Sequence, residues 1–208
     1  HTPPPAEGRP PRPLVPSRPD DDEPPLRSPA GAGRQSGFRR GILVHRVLQF
    51  LPTLAPEERD AALRRYLARP LHDLSPDEQD SLAAEVLGVV GHPEFAALFG
   101  PGSRAEAPVA GLIGSQAVSG VVDRLVVTAT EVLIVDFKTN RPPPVDPASV
   151  PRPYRRQMAV YREILRKIFP DRRVRCALLW TDGPRLMGLS DDSLDIAIAG
   201  VLARDEMP

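Results

Sequence analysis

Two runs of residues rich in Val and Ile lie only four residues apart, at 117–127 and 132–138. β-Branched residues and period-two patterning predict a strand for each run. The link between them, 128–131, is too short for anything but a hairpin. An antiparallel pair of strands is therefore the local structure around which the rest of the chain must fold.

Each predicted strand carries one aspartate among apolar residues. A turn centred between Ala129 and Thr130 pairs residues whose numbers sum to 259, which places Asp123 opposite Asp136 with Cβ atoms roughly 5 Å apart. Two carboxylates this close repel, so either one is protonated or a cation lies between them. A hard divalent ion, Mg²⁺ or Mn²⁺, is the expected cation.

Lys138 shares a strand face with Asp136 because strand side chains alternate. Only Lys138 and Lys167 are Lys among the 27 basic residues, and the others are Arg. A lysine amine can share or lose a proton when it is partly desolvated, whereas a guanidinium cannot. The pattern Asp-x-Lys beside a second Asp favours chemistry over an ordinary surface ion pair.

The remaining periodicities predict an α/β fold, a mixed β-sheet flanked by helices, with an N-terminal helical section. Helices are predicted at 39–51, 56–69, 75–91, 154–168 and 191–202, and strands at 106–113, 117–127, 132–138 and 174–181.

Eleven of the 27 prolines fall within the first 30 residues, beside an acidic run at 20–23. This composition predicts a disordered, Pro-rich linker over 1–37 and one globular domain over 38–208. The chain begins at His1 and has no Met before Met158, so we expect a piece of a longer polypeptide.

The formal net charge is zero, which excludes a uniformly basic nucleic-acid coat protein. A local excess exists, however, with nine basic residues against two acidic ones between 152 and 175. The single cysteine, Cys176, excludes an intramolecular disulfide and a cysteine-ligated iron–sulfur cluster in this chain. No apolar run is long enough to predict a membrane span, so we expect a cytoplasmic protein without a membrane partner.

Five segments occur in the order typical of one nuclease family: GILVHRVL at 41–48, Glu106, GVVDRL at 120–125, VDFKT at 135–139, and QMAVY at 157–161. In this set the chain resembles the RecB-like family of the PD-(D/E)xK superfamily, which has a restriction-endonuclease-like fold. It is most similar to the C-terminal nuclease domain of AddA subunits of bacterial AddAB helicase-nucleases.

The resemblance implies roles for individual residues. His45, Asp123, Asp136 and the Phe137 carbonyl would ligate Mg²⁺ or Mn²⁺, while Lys138 would act on the attacking water and the scissile phosphate. Glu106 matches an acidic position near the metal. A further group would contact DNA or support the site, and comprises Gln157, Tyr161, Arg124, Arg155 and Arg156.

The function implied by the resemblance is a Mg²⁺-dependent deoxyribonuclease, an exonuclease module of an ATP-dependent helicase-nuclease that processes double-strand breaks for recombinational repair. It would hydrolyse single strands from duplex ends. An AddB-type subunit and the helicase portion of the same parent chain would be partners, and ATP would bind only in that helicase. Two alternatives stay open: a stand-alone RecB-like exonuclease, and a catalytically silent DNA-binding or docking module.

Overall fold

The computed structural model of the chain describes residues 34–205. The predicted linker therefore lies outside the described residues, except that 34–37 form the first turn of the first helix. The helices and strands are α1 (Arg34–Phe50), α2 (Pro56–Leu67), α3 (Pro76–Val90), β1 (Ser103–Ile113), β2 (Gln116–Val127), β3 (Glu131–Lys138), α4 (Arg152–Ile168), β4 (Arg173–Trp180), β5 (Arg185–Leu189) and α5 (Asp191–Asp205).

The strands form one five-stranded sheet in the order β1-β2-β3-β4-β5. β3 and β4 are parallel and are joined through α4, whereas all other neighbouring strands are antiparallel. Helices cover both faces of this mixed sheet, which confirms the predicted fold class. β5 was not predicted, because it is a five-residue edge strand held by β4 alone.

The hairpin between β2 and β3 has the predicted register. The pairs run from Val127 with Val132 to Arg124 with Val135, and each sums to 259. The Thr128 N–H closes the turn by donating to the Glu131 carbonyl at 2.9 Å. The ladder ends one pair before Asp123 and Asp136, so these two residues stand where the strands stop pairing.

Two apolar cores lie on opposite faces of the sheet. α4 and α5 cover one core, in which Met158, Tyr161 and Ile134 are buried. α1, α2 and α3 cover the other, which includes Val47 and Phe137. Neighbouring residues of β3 thus point into different cores, so β3 is buried on both faces and can hold a charged group away from water.

β2 changes face partway along its length. Val122 and Leu125 both pack into the core under α4, although regular alternation would send them to opposite faces. The change occurs beside Asp123, opposite Glu106, whose φ of 49° lies in the left-handed region. The local break in both strands turns Asp123 toward α1, away from the face that Leu125 occupies.

No single helix within residues 34–205 has the length and apolar character of a membrane span. Only α3 taken together with the following 3-10 helix, Pro93–Phe99, passes that test, and the two are bent by 82° at their junction.

Candidate active site

Asp123 lies at the point where β2 and β3 stop pairing and is held there by backbone. The Phe137 N–H donates to Asp123 Oδ2 at 2.6 Å. Phe137 is the residue between Asp136 and Lys138, so this bond fixes the second strand of the site against the first. The predicted contribution of the Phe137 carbonyl to a metal stays a prediction.

His45 reaches the same carboxylate from α1. Its Nδ1 lies 3.2 Å from Asp123 Oδ1, and its ring packs edge-on against Phe137 with centroids 5.8 Å apart. The His45 side chain is one-third exposed while that of Asp123 is only 13% exposed. The imidazole therefore forms the boundary between the buried carboxylate and solvent.

Asp136 and Lys138 lie on the face of β3 that α4 covers, as predicted. Lys138 Nζ is 2.7 Å from Asp136 Oδ2, and both side chains are nearly buried. Gln157 of α4 donates to Asp136 Oδ1 at 3.0 Å and is within 3.4 Å of Lys138 Nζ. Gln157 thus orients both charged groups, in keeping with the predicted supporting role.

Tyr154 belongs to this group and was missed in the sequence. The Lys138 ammonium lies 4.0 Å from the centre of the Tyr154 ring, and the Tyr154 hydroxyl donates to Asn140 Oδ1 at 2.9 Å. Tyr154 precedes Gln157 by three positions on a helix, so it shares that face. Helical spacing from Gln157 was the signal that could have identified it.

The carboxylates of the site differ in proton affinity. Burial raises the pKa of Asp136 and the charge of Asp123 adds to this, so Lys138 does not fully compensate. Burial also opposes the charge on Asp123, yet His45 and the Phe137 N–H together lower the pKa of Asp123. Two neighbouring carboxylates with pKa values moved apart are typical of acid–base and metal sites.

The two cations of the site are both stabilised by these acids. Burial disfavours the imidazolium, but the charge of Asp123 and its hydrogen bond raise the pKa of His45. Burial also disfavours the ammonium of Lys138, but the charge of Asp136 raises its pKa. Lys138 is therefore a charged group at neutral pH in this arrangement.

Glu106 faces the site from β1 across from Asp123. Burial and the charge of Asp123 raise its pKa, while His45 opposes that change. A non-glycine residue with positive φ inside a strand costs about 1 kcal/mol or more of backbone strain. This strained conformation occurs at Glu106, the one carboxylate residue of β1, which lies opposite Asp123.

Two of the residues predicted to contact DNA or support the site, Arg124 and Tyr161, have buried side chains. Arg124 is 5% exposed, donates to the Leu48 carbonyl at 2.6 Å and covers the Phe99 ring at 5.0 Å. Tyr161 is fully buried against Gly120, where an added Cβ would lie 2.4 Å from the Tyr161 hydroxyl. Both residues hold helices against β2, so a supporting role is the one left to them.

The basic stretch at 152–175 is partly neutralised, because four of its nine basic residues form ion pairs, although Arg162 is the only one of these four that is buried. Its residues pair with acids: Arg162 with Asp191 and Asp195, Arg166 with Glu163, Arg173 with Asp191, and Arg175 with Glu131. Arg155 and Arg156 lie half-buried in the first turns of α4, just before Gln157. Only this N-terminal part of the stretch adjoins the site, so the predicted contact of Arg155 and Arg156 with DNA stays a prediction.

The donor set at the site fits a divalent cation. Asp136 Oδ2 is buried and, despite the nearby ammonium, has no aligned hydrogen bond, while Asp123 and His45 add a carboxylate and an imidazole. Carboxylate and imidazole donors suit Mg²⁺ or Mn²⁺. Within residues 34–205, however, no three His, Cys, Asp or Glu side chains are already arranged around a common point. Ligation by these residues would therefore require the His45–Asp123 and Lys138–Asp136 ion pairs to separate.

Comparison with known proteins identifies a family. The family model of the PD-(D/E)XK nuclease superfamily matches residues 26–188. A search of curated proteins finds no match to the chain. Among solved structures, the crystal structure of SSO0001 is 14% identical, with 83% of this chain and 87% of that chain covered and a TM-score of 0.32. That TM-score is too low to carry an argument.

Proposed function

The chain belongs to the PD-(D/E)XK nuclease superfamily, and on that premise we propose that it is a metal-dependent deoxyribonuclease whose reaction takes place between β2, β3, α1 and α4. The observation that carries the proposal is the Asp136–Lys138 ion pair, oriented by Gln157 and set beside the buried Asp123. A buried ion pair next to a second carboxylate is a costly arrangement for structure alone.

His45, Asp123 and Asp136 would hold the ion. Magnesium or manganese bound there would supply Lewis-acid polarisation of a phosphodiester and a lowered pKa for attacking water. Asp123 and Asp136 would provide the negative charge that binding of a divalent cation requires. His45 must give up its proton to ligate, since only the neutral imidazole has a free electron pair.

Lys138 would stabilise the negative charge that builds on the phosphate as the phosphodiester is attacked. Its ammonium is aimed by Asp136, Gln157 and the Tyr154 ring, so little reorganisation is needed when charge develops. The raised pKa of Lys138 favours this electrostatic role over removal of a proton from water. Glu106, across the strand from Asp123, is the carboxylate left to accept that proton.

We further propose the setting that the sequence resemblance implies: single strands from duplex ends as substrate, and a parent helicase-nuclease with an AddB-type partner in double-strand break repair. Exonuclease action belongs to the same proposal. Arg155 and Arg156, at the start of α4 beside Gln157, would contact the DNA backbone.

The decisive experiment is cleavage of end-labelled single- and double-stranded DNA by the purified chain in Mg²⁺, Mn²⁺, Ca²⁺ or EDTA. We expect cleavage in Mg²⁺ or Mn²⁺ only, with single strands preferred. Circular single strands serve as the control for exonuclease action, because they have no end. DNA binding without cleavage in any metal, with or without a helicase partner, would contradict the proposal and favour a silent docking module.

A further inference from the structure

One carboxylate outside the candidate site is also buried. Glu85 lies in α3 with its side chain 4% exposed, in the helical layer that packs on the sheet. Burial alone would raise the pKa of Glu85, but its partners lower it below the ordinary value of 4.5, so it is charged. Charge in such a place is expensive unless it is well paired.

Three side chains from three other parts of the chain converge on Glu85. Arg40 of α1 donates through both terminal nitrogens, one of them to Oε1 at 3.3 Å. Arg141, which follows β3, donates to Oε2 at 2.5 Å. The Thr181 hydroxyl, at the end of β4, donates to Oε1 at 2.5 Å. One carboxylate thus ties together α1, α3, the exit of β3 and the end of β4.

Each partner of Glu85 is either close in sequence to a residue of the candidate site or hydrogen-bonded to one. Arg40 precedes His45 on α1 by little more than one helical turn. Arg141 follows Lys138 by three residues, and the Thr181 N–H donates to the Lys138 carbonyl at 3.0 Å. Through these partners Glu85 is connected both to α1, which carries His45, and to the end of β3, which carries Lys138.

Close to the Arg40–Glu85 contact, α1 also packs closely against the end of β3. A Cβ added to Gly41 would lie 3.2 Å from Thr139 Oγ1, so the helix backbone approaches the strand exit directly. Apolar packing is weakly directional, whereas hydrogen bonds from a carboxylate to two guanidinium groups fix orientation. The separation of His45 from β3 is thus set by a directional contact.

We propose that Glu85 is a positioning residue of the nuclease site, which sets α1 against the end of β3 so that His45 and the carboxylates of the strands can hold one metal ion. This inference rests on the proposed function. It assigns Glu85 no contact with DNA or with the metal.

The test uses the full chain and measures Mn²⁺ affinity by electron paramagnetic resonance, with DNA cleavage as a second measurement. Glu85→Gln keeps the size of the side chain and removes its charge. We expect Mn²⁺ affinity to fall about tenfold, as for other residues that orient ligands. The rate constant kcat should fall while KM for DNA changes little, because no DNA contact is lost.

Arg162→Met is the matched control, because Arg162 is a fully buried ion-pair residue between α4 and α5. It should lower the unfolding midpoint without changing Mn²⁺ affinity. Equal loss of affinity in both variants would show that Glu85 acts through general stability, and would overturn the proposal.

A second pair of variants changes only one of the hydrogen-bond donors to Glu85. Thr181→Val deletes the hydroxyl that reaches Glu85, while Thr181→Ser retains it. We expect weaker Mn²⁺ binding in Thr181→Val and wild-type binding in Thr181→Ser, even if Glu85→Gln does not fold. Wild-type affinity in both Thr181→Val and Glu85→Gln would overturn the positioning role alone. A wild-type chain that binds no Mn²⁺ would overturn the proposed function and this inference with it.

Discussion

The candidate site and the cluster around Arg162 both contain buried charge, and the two are built differently. The candidate site, formed by His45, Asp123, Asp136 and Lys138, places two carboxylates close enough for the charge of Asp123 to raise the pKa of Asp136. The cluster around Arg162 places one buried guanidinium among acids of opposite charge, Asp191 and Asp195. In the second cluster the one buried charge is paired with acids, whereas in the first the charge of Asp123 opposes that of Asp136.

The acids of the Arg162 cluster are also about half exposed, while the carboxylates of the site are almost enclosed. Water can therefore stabilise the Arg162 cluster when one member is lost. Water does not reach the carboxylates of the site in the same way. Their repulsion decreases when a cation binds or one carboxylate is neutralised. The first cluster therefore has the features that the proposed function requires, while the second holds α5 on α4.

Asp136→Asn should distinguish a role in cleavage from a role in stability most clearly. We expect cleavage in Mg²⁺ to fall by about 10³-fold or more, because the carboxylate is lost where charge must be stabilised. The unfolding midpoint should change little, because removal of a carboxylate with a raised pKa is opposed by the loss of the partner that stabilises the buried Lys138 ammonium. Cleavage assays and thermal unfolding of the same preparations measure both.

Asp60→Asn is the control for that prediction, because Asp60 is exposed and pairs with Arg64 within α2. It should leave cleavage and stability unchanged. Cleavage by Asp136→Asn at the rate of Asp60→Asn would remove Asp136 from the reaction.

Arg162→Ala should give the opposite result. The loss of a fully buried side chain and its ion pairs should lower the free energy of unfolding by about 2 kcal/mol, mainly through lost packing of the stem, because Asp191 and Asp195 stay hydrated. Cleavage per folded molecule should be unchanged at temperatures well below the midpoint. Urea unfolding measures the first quantity, and cleavage at 20–25 °C measures the second.

Glu106→Asn tests whether strain is maintained for function. Asn tolerates the left-handed conformation better than Glu, so we expect the free energy of unfolding to rise by about 0.5 kcal/mol. Cleavage should fall, because the carboxylate facing Asp123 is lost. Glu106→Gln is the companion variant, since it removes the charge but keeps the strain. If Glu106→Asn cleaves DNA like the wild type, Glu106 serves neither as ligand nor as base.

The sequence predicted those parts of the molecule that depend on short-range patterns. The link at 128–131 allowed only a hairpin, and its length set the register of β2 and β3. Period-two alternation placed Asp136 and Lys138 on one face, and the resemblance to the nuclease family placed Gln157 near them. The β-branched segments and the capping box of α3, Ser75 with Glu78, likewise predicted their elements.

The rest depends on contacts between distant residues, which periodicity does not report. Glu85 meets Arg40, Arg141 and Thr181 across separations of 45, 56 and 96 residues. The inward turn of Arg124 follows from a break in strand alternation that no pattern in β2 reveals. The pairing of Arg162 and Arg173 with acids of α5 likewise depends on how α5 packs against the rest of the chain, so counting charges along 152–175 did not reveal it.

The smallest effect is expected from the pH dependence of stability at Glu85, because burial partly offsets its attractive partners. Its pKa is lower in the folded chain than the ordinary 4.5, so the unfolded chain takes up a proton first as pH falls. The stabilisation is fully present above about pH 4.5 and is lost as the pH falls through the folded-state value. Unfolding by urea between pH 3 and 7 should therefore show a steeper acid loss in the wild type than in Glu85→Gln. Parallel curves would mean that Glu85 has the same pKa in both states and that Arg40 and Arg141 do not stabilise its charge.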